Sequence, residues 1–254
     1  MNPDRIPLIA ANWKMFKTIP EAVSFISSVQ EEAGPVNDRE VVIAPAFTAL
    51  QAVREKLNRN GYKLAAQNCW WQEKGAFTGE VSPVMLKDLG CDYVIVGHSE
   101  RRQIFGETDE VIRQKASAVF SHGMVPIVCV GEILDQREQG RTFDVVGGQV
   151  KEGLSGVGRG NASRLVVAYE PVWAIGTGKT ATPAQAQEVH AFIRRTLESL
   201  FDKELANKVR ILYGGSVKPD NVDALMAEAD IDGTLVGGAS LEVGSFKRLI
   251  QFKS

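Results

Sequence analysis

Short, almost entirely apolar runs recur along the chain, separated by longer stretches of mixed polarity. Runs such as Val94-Ile95-Val96 and Val166-Val167-Ala168 contain no polar residue. A strand that is apolar on both faces is typical of a parallel sheet covered on both sides. Eight strands are predicted: Leu8–Asn12, Val41–Ala44, Lys63–Gln67, Tyr93–Val96, Pro126–Val130, Leu165–Tyr169, Arg210–Tyr213 and Gly233–Val236.

Amphipathic stretches between these strands predict helices. Thr182 before Pro183 is a start signal, because threonine caps a first turn and proline is tolerated there. Asn60-Gly61 is a stop signal. The predicted helices are Pro20–Glu32, Phe47–Arg59, Asp109–Ser121, Pro183–Phe201, Asn221–Ala227 and Ser245–Phe252. Helical content stays open for Asp135–Gly160, because this segment contains seven glycines.

Alternation of strand and helix, repeated eight times in 254 residues, predicts an α/β fold. The expected architecture is a (β/α)₈ barrel, with eight parallel strands inside an outer ring of helices. A doubly wound open sheet is the competing architecture. That fold places a glycine-rich nucleotide turn after its first strand, whereas this chain has Asn12-Trp13-Lys14-Met15 there. No linker interrupts the chain, so residues 1–254 are expected to form one barrel domain.

Composition narrows the classes of function. The 29 basic and 31 acidic residues give a net charge of −2, which provides no general attraction for nucleic acid or an anionic membrane. The amino terminus opens no long apolar run, so neither a signal peptide nor a membrane span is expected. Cys69, Cys91 and Cys129 are widely spaced and favour reduced thiols in a cytoplasmic protein. The three histidines share no ligand spacing, so we expect no metal site built on histidine.

Polar residues and glycines collect where the predicted strands end. In chain order they are Asn12, Lys14, His98, Ser99, Glu100, Glu132, Glu170, Gly214, Gly215, Ser216, Gly237 and Gly238. In a (β/α)₈ barrel these strand ends meet at one rim, where active sites are built. Taken singly, Asn12, Lys14, His98 or Glu170 could have a structural role, but their convergence favours catalysis.

Two glycine pairs on consecutive strand ends favour an anion site, because unshielded backbone N–H groups bind phosphate at this place in barrels. Tight turns are the alternative explanation for these glycines. After Glu170 come a stiff, bulky segment, then small residues, then a capped helix, a pattern typical of a lid with two hinges. The predicted lid consists of Pro171, Val172, Trp173, Ala174, Ile175, Gly176, Thr177, Gly178, Lys179, Thr180 and Ala181.

Together these motifs resemble those of the triosephosphate isomerase family, in the same order. The matching stretches are Asn12–Met15, Gly97–Arg102, Tyr169–Gly178, Tyr213–Val217 and Leu235–Leu241, with Gln67–Cys69 and Gly75–Glu80 similar to the family's third loop. The resemblance covers nearly the whole chain. It implies cofactor-free interconversion of dihydroxyacetone phosphate and glyceraldehyde 3-phosphate, a step of glycolysis and gluconeogenesis.

The resemblance also implies roles for individual residues. Glu170 is the base that moves a proton between two carbons, and His98, as a neutral imidazole, polarises the carbonyl. Lys14 and Asn12 stabilise negative charge on the substrate and the enediolate. The implied supporting residues are Ser99 and Glu100. The implied substrate and phosphate ligands are Asn12, Lys14, Gly176, Ser216, Gly237 and Gly238.

Aromatic residues in the third loop predict a partner subunit. Trp70, Trp71 and Phe77 would be unfavourable if exposed, so burial in a two-fold homodimer is expected. Thr78 would then lie near the neighbouring active site. The predicted dimer loop comprises Trp70, Trp71, Phe77, Thr78, Gly79 and Glu80.

Two other functions stay open on the sequence. A barrel aldolase would form a Schiff base through a lysine. The sixth strand, however, ends in Glu170, and Lys14 sits beside the polar Asn12 rather than in an apolar pocket. A non-catalytic phosphate-binding protein would not need Lys14, His98 and Glu170 together.

Overall fold

A computed structural model of the protein describes residues 5–58, 60–175 and 180–253. Within these ranges, eight parallel strands close into a barrel in chain order, with the last strand paired to the first. The strands are β1 (Leu8–Asn12), β2 (Glu40–Ala44), β3 (Tyr62–Ala66), β4 (Tyr93–Val96), β5 (Val125–Val130), β6 (Val166–Tyr169), β7 (Arg210–Tyr213) and β8 (Gly233–Val236). The predicted (β/α)₈ barrel is confirmed, and the open-sheet alternative is wrong.

Helices surround the barrel. They are α1 (Ile19–Ala33), α2 (Leu50–Lys56), α3 (Pro83–Leu89), α4 (Ser99–Ile104), α5 (Asp109–Ser121), α6 (Leu134–Glu138), α7 (Thr142–Leu154), α8 (Arg159–Ala162), α9 (Pro183–Leu200), α10 (Lys203–Lys208), α11 (Val222–Met226) and α12 (Val243–Ile250). Short 3₁₀ turns lie at Phe47–Ala49, Val172–Ala174 and Gly238–Ser240. Among the described residues, no helix is both long enough and apolar enough to cross a membrane.

The barrel strands are buried on both faces. Successive side chains of a strand point to opposite sides. Leu8 and Ala10 of β1 therefore join an apolar cluster inside the barrel, while Ile9 and Ala11 join the cluster between the barrel and the helices. This double burial explains why the strand sequences contain so few polar residues.

Four strands, β1, β4, β7 and β8, have the predicted bounds. β2, β5 and β6 differ by one residue at one end, and β3 differs by one residue at both ends. β3 ends at Ala66 rather than Gln67. The Gln67 side chain turns instead to two loops, where its Nε2 donates hydrogen bonds to the carbonyl oxygens of Lys14 (2.8 Å) and Ala44 (2.9 Å).

The helix α5 matches its prediction, and α1, α9, α11 and α12 differ from theirs by one or two residues at one or both ends. One prediction needs a larger correction, and one segment left open is now assigned. The stretch Phe47–Arg59 starts as a 3₁₀ turn, and α2 ends at Lys56. Gln30 stops it there, because its Oε1 accepts a hydrogen bond from the N–H of Asn58 at 2.7 Å; Arg59 lies outside the described residues. The glycine-rich segment Asp135–Gly160 divides into α6, α7 and the start of α8, with a break at Gly140, whose φ is +70°.

Candidate active site

A cavity of about 680 Å³ opens at the carboxyl ends of the strands. The predicted site residues on its lining are Asn12, Lys14, His98, Glu170, Ser216, Gly237 and Gly238. Ser99 and Glu100 stand behind this lining, each in contact with a residue that forms it. Gly176 lies outside the described residues. The closed barrel thus brings together residues up to 226 positions apart in sequence (Asn12 to Gly238).

Glu170 follows β6 and is buried. Its Oε2 accepts a hydrogen bond from the N–H of Ser99 at 2.9 Å, and its Oε1 lies 3.0 Å from Nε2 of His98. A Cβ on Gly131 would lie 1.7 Å from the Glu170 carbonyl oxygen, and one on Gly214 would lie 2.8 Å from its Cγ. The two glycines therefore make room for the carboxylate and its backbone.

Charge and burial compete at Glu170. Burial alone would raise the pKa of this carboxyl group, since it disfavours the charged form. The His98 ring, the Ser99 N–H and Lys14 act in the opposite direction, and the net pKa lies below the usual glutamate value. Glu170 is therefore ionised at neutral pH, as a base must be.

His98 caps the start of α4. Its Nδ1 accepts a hydrogen bond from the N–H of Glu100 at 3.2 Å, so the ring hydrogen of the neutral form is on Nε2, which faces Glu170. Burial lowers the pKa of His98, but the Glu170 carboxylate raises it by more, and the net direction is upward. His98 and Glu170 thus stabilise each other's charged form.

Lys14 lies in a strained turn after β1. Its φ of 50° is in the left-handed region, and its N–H donates to the side-chain oxygen of Asn12 at 3.0 Å. The Nζ of Lys14 donates to Oε1 of Glu100 at 2.7 Å. A Cβ on Gly237 would lie 3.4 Å from Cε of Lys14, so glycine at this position keeps space beside the ammonium group.

Glycines after β7 and β8 line the part of the cavity next to Glu170 and Lys14. A Cβ on Gly238 would meet nothing within 4 Å, so this position borders open space, and it starts the 3₁₀ turn Gly238–Ser240. Ser216 is partly exposed, and its carbonyl oxygen accepts a hydrogen bond from Nδ2 of Asn221 at 3.0 Å. Backbone here is unshielded by side chains, as an anion site requires.

A family model described as triosephosphate isomerase matches residues 7–253. The chain belongs to the triosephosphate isomerase family. It is 53% identical over 249 residues to a triosephosphate isomerase from Pelobacter propionicus (98% of this chain, 99% of the relative). It is 52% identical over 250 residues to the one from Geobacter metallireducens (98% and 100%) and 54% identical over 249 residues to the one from Chloroflexus aurantiacus (98% and 100%).

The predicted lid of this triosephosphate isomerase family member is described at both ends. Pro171 is buried, the turn Val172–Ala174 follows it, and Ile175 lines the cavity. At the other end Thr180 is exposed and Ala181 is buried, just before the Thr182 cap of α9. The predicted lid residues Gly176, Thr177, Gly178 and Lys179 lie outside the described residues.

Two residues beside the site had no role assigned from the sequence. Gln67 holds the Lys14 loop through the carbonyl oxygen of Lys14. Glu132, fully buried after β5, accepts hydrogen bonds from the Tyr169 hydroxyl (3.1 Å) and from Nε1 of Trp173 (3.0 Å). A polar residue just after an apolar strand was the available signal for both Glu132 and Gln67, but it did not indicate their partners.

Cys129 lies on the inner face of β5 and carries no exposed surface. Burial, and secondarily the charge of Glu170, raises the pKa of its thiol well above the usual value. A neutral thiol in this place is a packing residue. Within the described ranges, no group of His, Cys, Asp or Glu side chains is arranged to hold a metal ion.

The aromatic residues of the third loop cover one another. Trp70 and Trp71 stack with ring centroids 3.6 Å apart, and Phe77 lies 5.1 Å from Trp70. All three are partly buried within one subunit, whereas Thr78, Gly79 and Glu80 are exposed. Contacts within one subunit therefore already account for part of the burial that was expected from a partner. The homodimer stays a prediction.

Proposed function

We propose that this protein interconverts dihydroxyacetone phosphate and D-glyceraldehyde 3-phosphate, a step of glycolysis and gluconeogenesis, by moving a proton through an enediolate. The observation that carries the proposal is the shared cavity. An ionised carboxylate, an imidazole with its N–H directed inward, an ammonium group and unshielded glycine backbone all line it. These are the groups that proton transfer on a phosphorylated carbonyl compound requires.

Glu170 removes the proton from the carbon next to the carbonyl group. The electron pair of that C–H bond forms the carbon–carbon double bond, and the carbonyl oxygen becomes the enediolate oxyanion. A carboxylate is too weak a base for this step unless the oxyanion is stabilised. His98, Asn12 and Lys14 supply that stabilisation. His98 also moves the hydroxyl proton from the neighbouring oxygen to the former carbonyl oxygen, and Glu170 returns its proton to the former carbonyl carbon as the new carbonyl group forms.

His98 acts as a neutral hydrogen-bond donor in the substrate complex. In the free site its pKa is raised by the adjoining Glu170 carboxylate. A substrate that enters between the two side chains separates them and weakens that effect. Burial and the Glu100 N–H bonded to Nδ1 then both favour the neutral ring, whose Nε2–H donates to the substrate oxygen.

The phosphate group occupies the glycine side of the cavity. Ser216, Gly237 and Gly238 contribute to its binding, and Gly176 is proposed as a further ligand. Ser99 and Glu100 position Glu170, His98 and Lys14. Binding of the phosphate at one end of the substrate orients the reacting carbons before the base acts.

The test is a coupled assay of triose phosphate isomerisation in both directions, in the presence of a chelator. Activity is expected to persist, because the proposed chemistry uses side chains alone. Glu170→Ala should reduce kcat by about 10²–10⁴-fold, the usual effect of removing a positioned base. Glu198→Ala, on an exposed face of α9, is the control. Near-wild-type turnover by Glu170→Ala would refute the assignment.

A Schiff-base aldolase is the rival that a specific experiment excludes. Lys14 is hydrogen bonded to Glu100 rather than enclosed by apolar groups, which favours an electrostatic role. Borohydride reduction with a triose phosphate would trap a covalent adduct at Lys14 in an aldolase. No adduct is expected here.

The proposal includes a two-fold homodimer in the cytoplasm. Large apolar side chains are exposed after β1 to β4, four neighbouring strands of the barrel: Met15, Phe16, Phe47, Val84, Met85, Ile104 and Phe105. A second copy of the chain would cover this surface, with Thr78 near the active site of the partner. The three cysteines are buried and form no disulfide, which supports a reducing compartment.

A further inference from the structure

Buried Glu132 is hydrogen bonded to the segment that carries Glu170. Its carboxylate accepts hydrogen bonds from the hydroxyl of Tyr169, the residue before Glu170, and from the indole N–H of Trp173, three residues after it. The carbonyl oxygen of Glu132 also accepts from the N–H of Val172 at 3.1 Å. The chain on both sides of the proposed base is therefore attached to one residue.

Arg137 is in contact with both Glu132 and Trp173. Its guanidinium donates to Oε1 of Glu132 at 3.2 Å and lies over the Trp173 ring, 4.5 Å from the centroid. Among the described residues, no other basic side chain is within ion-pair distance of Glu132. A buried carboxylate without a counter-charge is costly, and a guanidinium on an indole face is a favourable contact.

We infer that Arg137 is a positioning residue for the proposed reaction. It does not line the active-site cavity. It holds the Glu132 carboxylate and the Trp173 ring in place through its contacts with both, and these two residues hold the backbone on either side of Glu170. The inference rests on the proposed function, since it concerns the placement of the base in that reaction.

Loss of Arg137 should affect the fate of the intermediate as well as the rate. The enediolate has two possible fates. It receives its proton from Glu170, or it expels the phosphate group. In the second case the bond between carbon and the ester oxygen breaks, and inorganic phosphate leaves with the electron pair. A displaced Glu170 returns the proton more slowly. The fraction of turnovers that release phosphate therefore rises, and this fraction does not depend on how much of the enzyme is folded.

The experiment compares the wild-type protein with Arg137→Met, Arg137→Lys, Trp173→Phe and the double variant Arg137→Met/Trp173→Phe. Isomerisation and inorganic phosphate release are measured on the same samples. Arg137→Met should lower kcat by about 10- to 100-fold, the scale of a displaced catalytic group, with a smaller change in KM and a higher phosphate fraction. Arg137→Lys should recover part of the loss, because it keeps the charge without the planar face.

The double variant tests whether Arg137 acts through Trp173. If it does, the two effects on kcat combine to less than their product. Arg141→Met is the matched control, because Arg141 is exposed in the same segment and makes no contact with Glu132. An active wild-type protein whose Arg137→Met variant keeps its kcat and phosphate fraction would overturn the inference. Fully multiplicative effects in the double variant would overturn the route through Trp173. A wild-type protein without isomerase activity would instead refute the proposed function.

Discussion

The carboxylate of Glu170 and the imidazole of His98 act on each other through a 3.0 Å contact in a buried site. The pair makes folding stability depend on pH in two directions. The lowered pKa of Glu170 stabilises the fold above the ordinary glutamate pKa, and this effect is lost as pH falls through the folded value. The raised pKa of His98 stabilises it below the ordinary histidine pKa, and this effect is lost as pH rises through the folded value. Their joint contribution to the free energy of unfolding is largest between about pH 4.3 and pH 6.5.

Replacing Glu170 by Gln tests this coupling. The substitution removes the negative charge that raises the pKa of His98, whereas burial, which lowers the pKa, remains. The His98 resonance in an NMR titration should therefore change at a lower pH in Glu170→Gln than in the wild-type protein. Glu198→Gln, on an exposed face of α9, is the matched control and should leave the His98 titration unchanged. An unmoved His98 titration would show that the carboxylate does not govern the ring.

At the scale of elements, the barrel was predictable because its signal is local. Each strand is an apolar run that ends in polar residues or glycine, and the position of those residues implied the rim on which Asn12, Lys14, His98 and Glu170 meet. The short helices α3, α4 and α10 were missed, since six or seven residues hold too little periodicity. The contacts of Gln67 and Arg137 were missed for a different reason: they join separate loops, and a local sequence pattern does not report partners that are distant in the chain.

The helix α7 shows why glycines obscured its prediction. A Cβ on Gly147 would lie 3.1 Å from the Phe192 ring of α9, whereas one on Gly148 would meet nothing within 4 Å. Gly147 thus serves helix packing, and Gly148 only weakens the helix. Gly148→Ala should raise the free energy of unfolding by about 0.5–1 kcal/mol. Gly147→Ala should gain less or destabilise, because the ring must move.

Urea denaturation at one fixed protein concentration measures both variants, with kcat as a check that the site is unchanged. Equal stabilisation by the two alanines would contradict the packing role of Gly147. Fixed concentration matters because association of subunits would add to the apparent stability.

At the scale of the whole molecule, the two ends of the barrel differ in chemistry. At the amino end, the Asp232 carboxylate accepts hydrogen bonds from Arg5 (2.5 Å) and Arg194 (2.7 Å), and Arg210 and Tyr93 both contact Glu40. These charges are paired with one another. At the carboxyl end, polar groups face an open cavity and apolar side chains are exposed beside it. This division is typical of barrels that keep stability and catalysis at opposite ends.

The exposed apolar surface leads to a prediction about assembly. Met85 is 58% exposed on α3, beside the cavity end, and Ile6 is 56% exposed before β1, at the other end. Replacement of either by Glu removes little packing within one subunit, so both variants should fold. Only Met85→Glu places a charge in the proposed dimer contact, where it would lose hydration without gaining a partner. Sedimentation should show a monomer, or a much weaker dimer, for Met85→Glu and an intact dimer for Ile6→Glu.

Because the loop that carries Thr78 is expected near the partner's active site, kcat of Met85→Glu should recover as protein concentration rises. A wild-type protein that is monomeric and fully active would instead show that these side chains have no subunit to cover them.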